Sequence, residues 1–141
     1  MNVPAYLNRI AYRGPTELTS ETLCILHCRH LETVPFENLD ISRSRPIVLD
    51  ENRIVHKVVE EHRGGFCYEL NSAFGALLRA LGFQVTLLSG RVARADGSDS
   101  PEFDHLALRV DLDQPGLLML VLATPFWNHC CYSPTSSRSK R

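Results

Sequence analysis

Apolar residues in "PAYLNRIAYRG" (residues 4–14) recur at helical spacing, at Ala5, Leu7, Ile10 and Ala11, and the run ends at Gly14, which predicts a first helix closed by that glycine. In "TSETLCILHCRHLETV" (19–34), Thr19 or Ser20 can cap a second helix whose inward face carries Leu23, Leu26, His27 and Leu31, with Pro35 stopping it. "PIVLDENRIVHKVVEEHRG" (46–64) reads as a short strand followed by a helix. "GFCYELNSAFGALLRALGF" (65–83) reads as a helix that opens at the glycines and closes at Gly82. Beyond it the period changes to two. "QVTLLSGRVAR" (84–94) and "HLALRVDLD" (105–113) predict strands, separated by the polar, turn-rich "ADGSDSPEFD". Helices followed by antiparallel strands predict an α+β fold rather than a doubly wound one.

Composition narrows the function classes. A chain of 141 residues suits one folding unit or a fragment of a larger one. With 15 basic and 16 acidic residues the net charge is −1, and no stretch gathers Lys and Arg on one face, so neither nucleic acid nor an anionic membrane is expected as partner. The opening "MNVPAYLNRI" lacks the basic segment and apolar run of a secretory signal, and no apolar stretch reaches bilayer length, so a cytoplasmic protein is expected. Five cysteines at irregular spacings do not form a disulfide framework.

One cysteine has a distinctive setting. In "EHRGGFCYELNSAF" (61–74), Cys67 falls in the first turn of a predicted helix, where unsatisfied N–H groups stabilise a thiolate. Gly64 and Gly65 ahead of it permit torsions that side chains forbid and leave room for a substrate at the sulfur. From these local features Cys67 is either a nucleophile or a small buried side chain. A nucleophile needs a base, commonly distant in sequence. Among six histidines, His27, His30, His56 and His62 lie on helical segments, where core or solvated roles are expected; His105 opens a strand after a polar loop, as a rigidly held yet accessible base requires. Cys24, His27, Cys28 and His30 share one helical region, but structural zinc takes ligand pairs from two separated elements, so core packing of Cys24 and Cys28 is expected and no metal.

Four motifs then coincide. "VPFENLD" (34–40), "RGGFCYELN" (63–71), "LSGRV" (88–92) and "HLALRV" (105–110), spread over residues 3–114 in the same order, resemble the arylamine N-acetyltransferases. The resemblance implies a papain-like cysteine-nucleophile scaffold: a helical domain over 1–83 carrying the nucleophile, then an incomplete antiparallel β-barrel over 84–122. It further implies a Cys-His-Asp triad and a ping-pong reaction in which acetyl-CoA acylates the cysteine, CoA leaves, and an arylamine, arylhydrazine or N-hydroxyarylamine takes the acetyl group. No bound cofactor is implied, since acetyl-CoA is the donor substrate. Carried onto this chain, Cys67 is the acyl-thioester nucleophile and His105 the base. Phe36 lines the acceptor pocket, where ring stacking suits an aryl group, or else packs in the core. Arg63 and Glu69 hold the loop around the nucleophile.

The chain departs from the family after residue 114. The family's acid follows the histidine strand in a segment like W-L-V-D-V-G-F-G, whereas residues 115–130 here read "PGLLMLVLATPFWNHC", without an aspartate. Asp111 lies six residues beyond His105, about 20 Å along an extended strand. The acid matters because it fixes the tautomer of the imidazole; its amide replacement costs about 10⁴ in rate in the serine-protease template. Residues 115–130 can be encoded so that reading from the third base gives W-L-V-D-V-G-F-G-D-S-F-L-E-P-L, the family's continuation. A one-base frame change near residues 111–115 is therefore expected, making 123–141 a disordered, out-of-frame tail in which His129, Cys130 and Cys131 are no metal site. The glycine-rich segment that contributes to CoA binding in the family is absent with it, so impaired activity is expected. Two rival readings are a papain-like or transglutaminase-like cysteine hydrolase and a catalytically dead aryl-binding module.

Overall fold

The computed structural model describes residues 1–112 and the backbone of Leu117–Leu120. The predicted out-of-frame tail, with His129, Cys130 and Cys131, lies outside the described residues. Five helices, α1 (Val3–Arg9), α2 (Ser20–Thr33), α3 (Leu39–Ser42), α4 (Glu51–Val59) and α5 (Cys67–Leu81), precede three strands, β1 (Gln84–Gly90), β2 (His105–Asp111) and β3 (Leu117–Leu120). The strands form one antiparallel sheet in the order β1-β2-β3, with Gly90 opposite His105 and Leu108 opposite both Leu87 and Leu120. The α+β expectation is met. A barrel needs more strands than the described residues supply. None of the described helices is long and apolar enough to cross a membrane.

The helix starts follow their caps. Asn2, Thr19 and Asp50 each accept a backbone N–H three residues on, at 3.1, 3.1 and 2.9 Å, opening α1, α2 and α4. The ends differ from expectation in one case. Helix α1 does not run to Gly14 but stops at Arg9, because Ala11 takes a left-handed conformation (φ 52°). Gly14 is instead required by Tyr12, whose hydroxyl would lie 2.6 Å from any Cβ at that position. Helix α5 does close at Gly82, with φ 104°. The expected strand at 46–49 does not form: Ile47, Val48 and Leu49 are exposed and no strand among the described residues pairs with them. The first predicted strand stops at Gly90 rather than Arg94, and the excursion to β2 turns at Gly97 (φ 82°) and is tied by Arg91–Glu102 (2.7 Å) and Val92 N–H to Ser100 Oγ (2.7 Å).

Helices and sheet share one core. Phe74, Leu77 and Leu78 of α5 pack with Leu23 and Leu26 of α2, Tyr6 and Ile10 of α1, and Leu108 and Val110 of β2. Arg9 stitches the helical layer: Nε donates to Val58 O (2.9 Å) and Nη1 to Thr33 O (2.7 Å), two carbonyls in the last turns of α4 and α2 that those helices cannot satisfy themselves. On α2 the inward face is Leu23, Leu26, His27 and His30. Leu31, expected there, is 44 % exposed, because the i, i+3, i+4, i+7 stripe from Leu23 ends on His30. Cys24 and Cys28 are half-buried on the flank of that stripe rather than packed in the core.

His30 is fully buried between Tyr6 and Phe74 (ring centroids 6.0 and 4.9 Å), with the Tyr6 hydroxyl 3.4 Å from Nδ1. Nε2 of His27 and of His30 have no hydrogen-bond partner among the described residues. Burial pushes His27 down to about 4 and His30 down to about 3, the latter helped by His27 and Arg9 nearby. The unfolded chain, with histidines near 6.5, therefore binds protons that the folded one refuses, and stability is lost as pH falls below about 6.5. Taking the pH from 7 to 5 should remove on the order of 2 kcal/mol for each of these two histidines, and His30→Leu should abolish about half of that drop. Denaturant unfolding of both chains at the two pH values measures it; equal drops would show that His30 is charged in the folded state.

Candidate active site

The loop Arg63–Phe66 presses against the segment following α2. Gly65 and Phe36 form a parallel bridge, with Glu37 N–H donating to Gly65 O (2.9 Å) and Gly65 N–H to Pro35 O (3.3 Å). A Cβ on Gly64 would lie 1.8 Å from Pro35 O, and one on Gly65 would lie 2.6 Å from a carboxylate oxygen of Glu69. Neither glycine has a positive φ. Their role thus differs from the expected one. They are needed because two backbones and a carboxylate meet at van der Waals distance, and the space that their missing side chains leave is filled by protein, not left for a substrate.

That loop delivers Cys67 to the first position of α5, 8 % exposed. The helix's first internal bond is Leu70 N–H to Phe66 O (2.9 Å), so the N–H groups of residues 67–69 are the ones the helix leaves for other partners. Phe66 has no side chain able to cap. Glu69 supplies half of a capping box instead, its Oε2 accepting from Phe66 N–H at 3.2 Å.

His105 opens β2 and is buried, its Nε2 without a hydrogen-bond partner among the described residues. Burial lowers the pKa of the ring, and neighbouring Asp104 partly opposes this. Helix α5 reaches both sides of it. Asn71, one turn beyond Cys67 on the same face, donates Nδ2–H to Leu106 O (2.7 Å), and the Tyr68 hydroxyl donates to Phe103 O. The nucleophile candidate's helix and the base candidate's strand are thereby registered by side-chain bonds to backbone on either side of His105. Asp111 is no substitute acid: it is exposed at the far end of β2 and pairs with Arg109 (3.4 Å).

Behind the loop lies a cluster of charges. Arg63 binds Glu37 Oε1 (2.7 Å) and Asp40 Oδ1 (3.0 Å), and Lys57 Nζ lies 2.8 Å from both Asp40 Oδ2 and Glu69 Oε1 and 3.8 Å from Glu37. Glu37 also caps α3 through Leu39 N–H (2.8 Å). Hydrogen bonds from Lys57 and Arg63 pull Asp40 down to about 2. Burial opposes the charge on Lys57, but Asp40 and Glu69 outweigh it and hold its pKa above the ordinary lysine value. A groove of about 590 Å³ opens on this cluster, lined by Asp40, Lys57, Arg63 and Glu69 among others, and not by Cys67, His105 or Phe36. Phe36 is 58 % exposed, which removes core packing as its role.

Sequence reasoning placed Arg63 and Glu69 beside Cys67 and missed Lys57, Glu37, Asp40 and Asn71. The signal for Lys57 was present in "NRIVHKVV", where the lysine falls on the same inward stripe as Ile54 and Val58. Among the described residues no group of three or more His, Cys, Asp or Glu side chains is arranged to hold a metal ion.

A family model described as N-acetyltransferase matches residues 19–119. The arylamine N-acetyltransferase of Escherichia coli K12 is 40 % identical over 109 residues, which are 77 % of this chain and 39 % of that protein. The crystal structure of Nocardia farcinica arylamine N-acetyltransferase superposes with a TM-score of 0.78 at 39 % identity, covering 84 % of this chain and 42 % of that one. That of the Mycobacterium marinum enzyme in complex with CoA gives 0.75 at 35 % identity, covering 84 % and 45 %. The chain spans about two fifths of the length of the curated relatives it matches. With α5 bonded to the backbone on either side of His105, and with the family model covering most of its length, this chain belongs to the arylamine N-acetyltransferase family.

Proposed function

We propose that the chain carries the acyl-accepting part of an acetyl-CoA-dependent arylamine N-acetyltransferase, with Cys67 as nucleophile and His105 as base. The observation that carries this reading is the placement of Cys67 at the first position of α5, with the same helix bonded to backbone on both sides of His105. Helix-terminal N–H groups favour the thiolate, and burial keeps the imidazole neutral and able to take the thiol proton. The sulfur then bonds to the acetyl carbon as the bond to CoA sulfur breaks, and the imidazolium returns its proton to the departing thiolate. In the second half an amine nitrogen bonds to the acetyl carbon, the thioester breaks, and the amine proton passes through His105 to the sulfur. Phe36, with its exposed ring beside the loop, offers a face for an aryl acceptor. Arylamines, arylhydrazines and N-hydroxyarylamines fit such a site.

Among the described residues Nε2 of His105 has no hydrogen-bond partner, which favours a second reading. Residues 114–141 contain no Asp or Glu, so this stretch does not supply the acid that orients the imidazole. In this reading the chain binds an aryl group at Phe36 and turns it over feebly or not at all. Residues 115–130 can be encoded so that an alternate frame contains an aspartate, and resequencing codons 108–130 tests whether the acid was displaced by a frame change.

Incubation with labelled acetyl-CoA distinguishes the two. The transferase reading expects a hydroxylamine-labile acetyl group on Cys67, absent in Cys67→Ala and slowed at least about a hundredfold in His105→Ala. An unlabelled chain that still binds arylamine saturably establishes the binding module, and a chain that hydrolyses acyl substrates without accepting label from acetyl-CoA is the cysteine hydrolase. Separately, Phe36→Ala should weaken arylamine binding about threefold to tenfold by equilibrium titration while leaving the melting temperature unchanged. Unchanged affinity would remove Phe36 from the site.

A further inference from the structure

Lys57 is 9 % exposed, in the last turn of a nine-residue helix, and its ammonium meets the carboxylates of Asp40 and Glu69. A lysine in such a place costs desolvation, and an apolar residue of similar size would commonly serve stability as well or better. Its contacts indicate what the charge does. Nζ holds Oε1 of Glu69 at 2.8 Å, while Oε2 of the same carboxylate caps Phe66 N–H, the residue just before Cys67. Gly65 walls in that carboxylate from the other side, so it has one place to lie. Glu69 therefore puts a full negative charge in the first turn of α5, two residues from the thiol. A bare carboxylate there would oppose formation of a thiolate. Lys57, itself anchored by Asp40 at 2.8 Å, cancels it.

We propose that Lys57 is a positioning residue for Cys67: through Glu69 it fixes the cap of the helix that carries the nucleophile and neutralises the carboxylate that shares the helix's first turn with the thiol. The proposal rests on Cys67 being the nucleophile, and its test does not require acetyl transfer. The rate of iodoacetamide alkylation of Cys67, read on its own peptide by mass spectrometry, is followed against pH in the full chain. The titration of His105 on β2, the charges of Arg63 ahead of the helix and of Glu69 on it, and the hydroxyl dipole of Tyr68 also shape this profile. All four are unaltered in Lys57→Gln, so the difference from the parent reads Lys57.

Lys57→Gln should move the midpoint up by about half to one pH unit, a threefold to tenfold slower alkylation near neutrality. Lys57→Arg should restore most of it, and the double variant Lys57→Gln with Glu69→Gln should return the midpoint to the parent's, since the opposing charge is gone. Glu69→Gln alone, which keeps an amide oxygen to cap Phe66, should lower it; this variant serves if Lys57→Gln does not fold. A depressed midpoint in the parent that neither Lys57→Gln nor Glu69→Gln moves overturns the proposal and leaves the nucleophile reading standing. An ordinary thiol midpoint near 8.5 in the parent overturns both.

Discussion

The arrangement depends on one close approach, of the backbone at Gly64 and Gly65 to the carbonyl of Pro35. Two extended segments meet there with no side chain between them, and the separation is so small that even a methyl group on Gly64 would overlap the carbonyl oxygen. Everything that matters chemically is referred to that contact. It sets where the chain enters α5, hence where the thiol of Cys67 stands. It brings Glu37 within reach of Arg63, and it leaves the ring of Phe36 on the outside of the joint. Glycine is imposed here by packing, as the negative φ values show, and the same inference from torsion alone would have given the right residue for the wrong reason.

Around this joint the charges form a closed set. Glu37, Asp40 and Glu69 face Lys57 and Arg63, with Arg45 at the margin 3.7 Å from Asp40. Such a set contributes less to net stability than its number of pairs suggests, because each buried charge is first stripped of water. What it does supply is direction: α3, α4, the glycine loop and α5 each give at least one member, and the pairs can all be made in only one relative placement. Helix-to-helix apolar contact, which tolerates sliding, does not specify position so sharply. Precision at the helix terminus is thus obtained from polar contacts and bulk stability from the apolar core on the opposite face of α5.

Much of the fold was legible because its signals are local. Caps at Thr19 and Asp50, the closing Gly82 and the change of period after Phe83 are each written within a few residues. The errors arose where tertiary contact overrides a local signal. Gly14 resembles a helix stop and serves the Tyr12 ring; Leu31 has the hydrophobicity of a core residue, yet His30 takes the inward position; "PIVL" has strand propensity and no partner strand. For the site, Cys67, His105, Arg63 and Glu69 stood out because they fall in short motifs; Lys57 lies outside them, and Asn71, though within one, shows no role there, because their partners are 12 and 35 residues away and only the fold makes them neighbours. The choice between pocket and core for Phe36 was equally invisible to sequence: an aromatic residue between Pro35 and Glu37 carries no sign of which way the joint will turn it.

Arg9 gives the beginning of the chain a weight that its position would not suggest. A single guanidinium closes the carboxyl ends of two different helices, and those helices carry His27, His30 and Lys57. The first nine residues behave, in mechanical terms, as a clasp. Shortening the chain from that end would free the carbonyls of Thr33 and Val58 and remove the tie between the ends of α2 and α4, so the boundary of any minimal version of this unit lies before Asn2, with its cap on Ala5, and not at the first long helix.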